Sequence, residues 1–114
     1  MEHTIDAKGK KLGRIASQAA SILMGKNLAT FARHKAPAVK VSIINVAKIS
    51  RTEAKTKEKR HIRFSGYPGS QKFESDEAVT TRLGVKEVVR RAVRGMIPNN
   101  KLRPGMLKNL NITE

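Results

Sequence analysis

The sequence has no cysteine and no tryptophan. Without thiols there is no disulfide, no thiolate zinc site and no cysteine nucleophile, and nothing requires an oxidising compartment. Aromatic residues make up only 4% of the chain, so a core must come from Val, Ile, Leu, Met and Ala. No apolar run approaches the roughly 20 residues of a membrane span. Met1 to Asp6 do not form a secretory signal, because Glu2 and His3 interrupt any apolar stretch. Acids are scarce as well: 9 Asp and Glu stand against 24 Lys and Arg. A cytoplasmic protein without a membrane partner is the expectation.

What is present is charge of one sign. The 114 residues carry a formal net charge of +15, with a pI near 10.9. Like charges repel, so this surplus gives an isolated fold no stability. It makes sense when a polyanion neutralises it. Nucleic acid is the first candidate and an anionic membrane surface the second. The length suits one domain, residues 1–114, ending in a basic tail. The last 27 residues hold six basic groups and one acid, Glu114.

Hydrophobic periodicity sets the elements. A short strand is expected at His3–Ala7, followed by a basic, glycine-punctuated loop, Lys8 to Arg14. Leu12, Ile15, Ala16, Ala19, Ala20, Ile22 and Leu23 then recur at helical spacing, with Gly25 as the stop and Lys26 just beyond. Val39 to Val46 is apolar and β-branched in its second half, as in a parallel strand covered on both faces. With the helix before it, this predicts a βαβ unit. Ser50 to Arg60 reads as an exposed loop. His61–Phe64 and Lys72–Glu74 read as short extended pieces around the turn Ser65-Gly66-Tyr67-Pro68-Gly69-Ser70. Ser75 is an N-cap, with Asp76 and Glu77 favoured in the first turn of a helix ending near Gly84. The next helix, Val85–Gly95, places Val85, Val88, Val89, Ala92, Val93 and Met96 on one face and Lys86, Arg90, Arg91 and Arg94 opposite. Leu102, Met106, Leu107 and Leu110 are candidate anchors for the tail.

Several features bear on chemistry. If the valines of Val85–Gly95 face the core, its arginines face out, and guanidinium groups suit phosphate oxygens. The bland alternative is a solvated helix face. It is weakened because Glu87 is the one acid on hand for i,i+4 pairing and the flanking segments are also basic. Lys8–Arg14 lies where backbone N–H groups and a helix dipole can hold an anion. Its Gly-x-x-x-Gly spacing is neither a dinucleotide fingerprint nor a P-loop. Tyr67, between Gly66 and Pro68, either stacks on a base or caps the core. His3, His34 and His61 lack metal-ligand spacing, although His34 sits in the basic cluster Arg33-His34-Lys35. No carboxylate pair or nucleophile motif supports catalysis, and Asp6 has no visible partner. Two rivals remain. One is a free-standing nucleic-acid regulator, for which no helix-turn-helix, RRM or KH signature exists. The other is a small nucleotide-using enzyme with a site near Gly9–Gly13.

The residues also match a known family in order along most of the chain. The matching blocks are Ile5-Asp6-Ala7-Lys8-Gly9-Lys10, Leu12-Gly13-Arg14-Ile15-Ala16-Ser17, Leu23-Met24-Gly25-Lys26, Ile43 to Ile49, and Ser65-Gly66-Tyr67-Pro68-Gly69. Val88 to Pro98, Leu102 and Met106-Leu107-Lys108-Asn109-Leu110 complete the match. In these the chain resembles the L-thirteen family of large-subunit ribosomal proteins. Ala92-Val93-Arg94-Gly95-Met96-Ile97-Pro98 is the most specific of them.

The resemblance implies a three-layer α/β/α fold with a small, mostly parallel four-stranded sheet. It implies a non-enzymatic constituent of the large subunit that binds large-subunit ribosomal RNA, supports assembly and touches neighbouring ribosomal proteins. No cofactor, metal or small-molecule substrate is expected. With the basic features above, it gives the candidate RNA contacts: Lys8, Lys10, Lys11, Arg14, Lys26, Arg33, His34, Lys35, Arg63, Tyr67, Lys72, Arg90, Arg91, Arg94, Lys101, Arg103 and Lys108. Ten neutralised RNA phosphates would give a log–log salt slope of about −7 to −9. Bacterial-type members are expected to carry an N-terminal lead-in and a longer C-terminal tail that this sequence lacks. Pro37-Ala38-Val39-Lys40, Asn99-Asn100-Lys101 and Arg103-Pro104-Gly105 also depart from the family pattern.

Overall fold

A computed structural model describes residues 1–114. The order is β1 (Glu2–Asp6), α1 (Leu12–Leu23), β2 (Lys40–Ile44), α2 (Glu53–Glu58), β3 (Arg60–Arg63), β4 (Lys72–Ser75), α3 (Asp76–Leu83), α4 (Val85–Met96), α5 (Arg103–Lys108) and β5 (Leu110–Ile112). A 3-10 turn, Val46–Lys48, follows β2.

Helix α1 forms where the apolar spacing places it, burying Ile15, Ala16, Ala19, Ala20 and Leu23. Its C-terminus closes by a Schellman motif. The Gly25 N–H donates to the Ile22 carbonyl at 2.9 Å and the Lys26 N–H to the Ser21 carbonyl at 3.2 Å. Gly25 sits at φ +76°, which costs a side chain but not glycine.

Strands β1, β2 and β5 form one parallel sheet in the order β1-β2-β5. The register pairs Ile5 with Ile43, and Ile43 with Ile112. Alternation therefore gathers Ile5, Val41 and Ile43 on one face. These join the buried residues of α1, Val89 and Val93 of α4, Ile97 and Met106 in one aliphatic cluster. The other face carries the row Thr4, Ser42 and Asn111, with Thr4 and Asn111 exposed. Truncating a cluster residue such as Ile43 to Ala costs about 2–5 kcal/mol.

The expected four-stranded, three-layer arrangement is therefore corrected in two ways. The parallel sheet has three strands, and β3 and β4 form a separate antiparallel hairpin. The Arg60-His61-Ile62-Arg63 strand puts polar or charged groups on both faces, which a buried parallel strand does not tolerate. The helices also pack on one face of the sheet, leaving the other largely open. The apolar run of β2 misled on this point. Ile44 faces outward, and Asn45 (φ 58°) then reverses the chain so that Val46 returns to the core.

Two further expectations change, and the tail gains structure. Ser50–Arg60 is not all loop, because α2 forms within it, although it buries nothing. The basic tail forms two elements: α5 seats the candidate anchor Met106 in the core, and β5 adds the third parallel strand. Met96 ends α4 exposed, and Ile97 in extended backbone takes the buried place instead. Ser75 caps α3 as expected, its hydroxyl accepting from the Ala78 N–H at 3.2 Å. Val79 and Val88 are fully buried where α3 meets α4.

The shape is thin, 44 × 37 × 18 Å, and only 19 of 114 residues are buried. The radius of gyration, 15.1 Å, exceeds the roughly 13 Å of a compact chain this long.

Candidate nucleic-acid interface

Helix α4 turns its valines inward, so residues spaced i, i+3, i+4 and i+7 on its far side emerge together. These are Glu87, Arg90, Arg91 and Arg94. They form one wall of a groove of about 760 Å³ whose other walls are the β3–β4 hairpin and α5. Six cations line it: Arg63, Arg90, Arg91, Arg94, Arg103 and Lys108. Lys86 is not among them. It lies on the helix margin, with its Nζ 4.0 Å from a Glu114 carboxyl oxygen.

A second cleft of about 470 Å³ opens where the start of α1 meets α2. It is lined by five cations: Lys11, Arg14, Arg51, Lys55 and Lys59. The α1 N-terminus has no side-chain cap and no acid in its first turn, so its dipole adds to the positive field. A smaller recess joins the two clefts. It shares His61 and Arg91 with the first and Leu12, Gly13 and Lys59 with the second. The two cationic clefts thus adjoin across this recess and are together called the trough.

Few acids offset this charge. Glu87 accepts from Arg91 Nε at 3.2 Å, an i,i+4 pair worth about 0.3–0.5 kcal/mol. Glu74 is held by Arg82 at 2.7 Å. Arg90, Arg94, Arg63 and Lys108 form no ion pair. Arg103 Nε donates to the Pro98 carbonyl at 3.4 Å.

Two polar brackets tie neighbouring elements together. Asp76, 3% exposed, hydrogen-bonds His61 and so ties β3 to the first turn of α3. His61 is therefore a bracing residue rather than a free surface histidine. Asp6 also gains the partners that its sequence context did not reveal. Asn45 Nδ2 donates to its Oδ1 at 2.9 Å, and the Lys8 backbone N–H donates to the same oxygen at 3.0 Å. The Asn45 bond, then that of Lys8, holds the Asp6 carboxyl below its ordinary value. Asp6 thus fastens the end of β1 to the end of β2 and to the loop before α1.

The structure brings together Lys11, Arg14, Arg63, Arg90, Arg91, Arg94, Arg103 and Lys108 of the candidate contacts. Lys8, Lys10, Lys26, Arg33, His34, Lys35, Tyr67, Lys72 and Lys101 are exposed but line neither cleft. Tyr67 stands 75% exposed and does not cap the core. Sequence reasoning missed Arg51, Lys55 and Lys59. A short helix there would have been the signal, since it sets Lys55 and Lys59 one turn apart, but α2 has no apolar stripe to announce it.

Comparison with known proteins bears on this basic surface. Residues 1–114 match the family described as Ribosomal protein L13. The large ribosomal subunit protein uL13 of Moorella thermoacetica is 41% identical over 110 residues, which are 96% of this chain and 76% of that protein. The corresponding protein of Synechocystis is 42% identical over 110 residues, covering 96% of this chain and 72% of its own length. That of Treponema pallidum is 39% identical over 110 residues, with 96% and 77% covered. The chain belongs to the ribosomal protein L13 family, a family of non-enzymatic constituents of the large ribosomal subunit.

Proposed function

We propose that residues 1–114 act as one domain that binds large-subunit ribosomal RNA and supports assembly of the subunit in the cytoplasmic ribosome. The observation that carries this reading is the trough. Its arginines on α4 stand about 5–6 Å apart at their Cβ atoms, and acids compensate few of them. Such a surface clamps closely spaced phosphates and releases their counterions. It positions folded RNA and does not read its sequence. The exposed Lys8, Lys10, Lys26, Arg33, His34, Lys35, Lys72 and Lys101 add contacts beyond the trough, and the exposure of Tyr67 supports stacking on a base. The open face of the sheet leaves surface for neighbouring ribosomal proteins.

The test is reversal of Arg90, Arg91 and Arg94 together to Glu in cells that express the tagged chain. Loss of the chain from large subunits after a high-salt wash is expected, together with accumulation of incomplete particles. Normal incorporation would show that the α4 face is not the RNA surface. A free-standing regulator predicts equal affinity for random duplex DNA and ribosomal RNA in filter binding, whereas a tenfold or greater preference for the RNA is expected.

A further inference from the structure

The chain has four aromatic residues, and three of them sit on one short hairpin and face solvent. Phe64 is 62% exposed, Tyr67 75% and Phe73 54%. Ile62 joins them at 63%. Ile62 and Phe73 are direct cross-strand partners, so they share a face. Phe64 is the first residue after β3 ends at Arg63, two positions beyond Ile62, and is exposed beside it in the chain. His61, Arg63 and Glu74 belong to the opposite face and line the trough, and Ile62 lines it as well, at the junction of the two faces.

An aliphatic protein this short of aromatics does not leave most of them in water without cause. A two-stranded hairpin gains stability by covering its apolar face, and a contiguous exposed apolar patch marks a partner. Charge decides which partner. Arg60, Arg63 and Lys72 lie on the same two strands, with Lys59 just before them. The hairpin's one acid, Glu74, is taken by Arg82. Arg60 shares the face of Ile62 and Phe73, while Arg63 and Lys72 sit on the other face with the trough. Apolar groups on one side of the hairpin and phosphate-binding cations on the other match a nucleotide chain that turns its bases away from its backbone.

We propose that Ile62, Phe64 and Phe73 form a stacking platform for unpaired RNA bases whose backbone enters the trough beside them. The proposal rests on the RNA reading above and adds a second mode of contact to it: bases on the hairpin, phosphates in the trough. The platform selects loops or bulges, because paired bases in an A-form helix cannot splay onto it.

The experiment measures binding of the full chain to two probes, a single-stranded adenylate 12-mer and a 12-base-pair RNA duplex, across a salt series. F64A/F73A is expected to weaken the single-strand complex roughly 10- to 100-fold. Its salt slope should be unchanged, and duplex binding should stay within twofold. F64L/F73L keeps the apolar area but loses the rings, and is expected to fall with the alanine variant. F64W/F73W is expected to bind as the parent does. R90A/R94A should weaken both probes and flatten the salt slope. All four substituted side chains are largely exposed, and thermal melting confirms the fold. Equal losses on both probes, no loss on either, or full rescue by leucine would overturn the platform while leaving the trough reading intact. Rescue by leucine would point to a protein partner on this face. Failure of the parent chain to bind either probe would sink both readings.

Discussion

Asp6 takes two hydrogen bonds on one carboxylate oxygen, from Asn45 and from the Lys8 backbone. Both favour the charged form, and the folded-state carboxyl accordingly titrates below its ordinary value. Its contribution to stability is therefore present above the unfolded value of about 3.9 and is lost as pH falls through the lower folded value. Asp6→Asn is expected to lower the urea midpoint at neutral pH, and the gap to the parent should narrow in acid. A gap of equal size at pH 7 and pH 3 would mean that the bracket does not depend on the charge. The Asn45 partner was not legible in the sequence. Asn45 lies 39 residues away, and only parallel pairing of β1 with β2 brings the two together. The His61–Asp76 pair was hidden for the same reason. A helix-start acid and a strand histidine each have a sufficient local explanation, and only the fold shows that they meet.

At the scale of elements, legibility followed apolar periodicity. Helices α1 and α4 each bury one face and were placed to within a residue or two. Helix α2 buries nothing, and α5 holds one buried residue, Met106, beside Pro104 and Gly105. Without a stripe there was no pattern to read. Strand β5 is three residues long and was invisible as a strand until its pairing with β2 was known. The end of α1 offers a direct test of a feature that was legible. Gly25 has φ +76°, and an added Cβ would lie 2.9 Å from Pro37 Cγ. Gly25→Ala must both pay the left-handed penalty, about 1–2 kcal/mol, and displace the loop that carries Pro37. A drop of several degrees in melting temperature is expected. Gly105→Ala is the control, because its backbone is helical and nothing lies near its added Cβ. It should be neutral, or stabilising by up to about 1 kcal/mol. If the two substitutions cost the same, the Schellman closure is not what requires glycine at position 25.

On the scale of the whole molecule, the accessible surface of 7746 Å² exceeds the roughly 6,200 Å² of a compact monomer of this mass. The chain is thin, weakly buried and carries +15. The arginines of α4 were readable because their helix was readable. The second half of the trough was not, because it exists only where α1, α2 and the residue after α2 converge. This charge layout predicts opposite responses to one variable. The free protein repels itself, and its few surface ion pairs, Arg82–Glu74, Arg91–Glu87 and Lys86–Glu114, are worth at most about 1 kcal/mol each. Salt that shortens the Debye length from about 10 Å at 0.1 M to about 3 Å at 1 M screens the repulsion more than it weakens the pairs. The melting temperature of the free chain should therefore rise with sodium chloride. Its affinity for RNA should fall over the same range, because counterion release is lost. Differential scanning calorimetry of the free chain and filter binding in matched buffers read the two signs separately. A melting temperature that falls with salt would mean that attraction outweighs repulsion in the free fold. The surplus charge would then have a structural role within the chain itself, and the case for a polyanion partner would lose its physical basis.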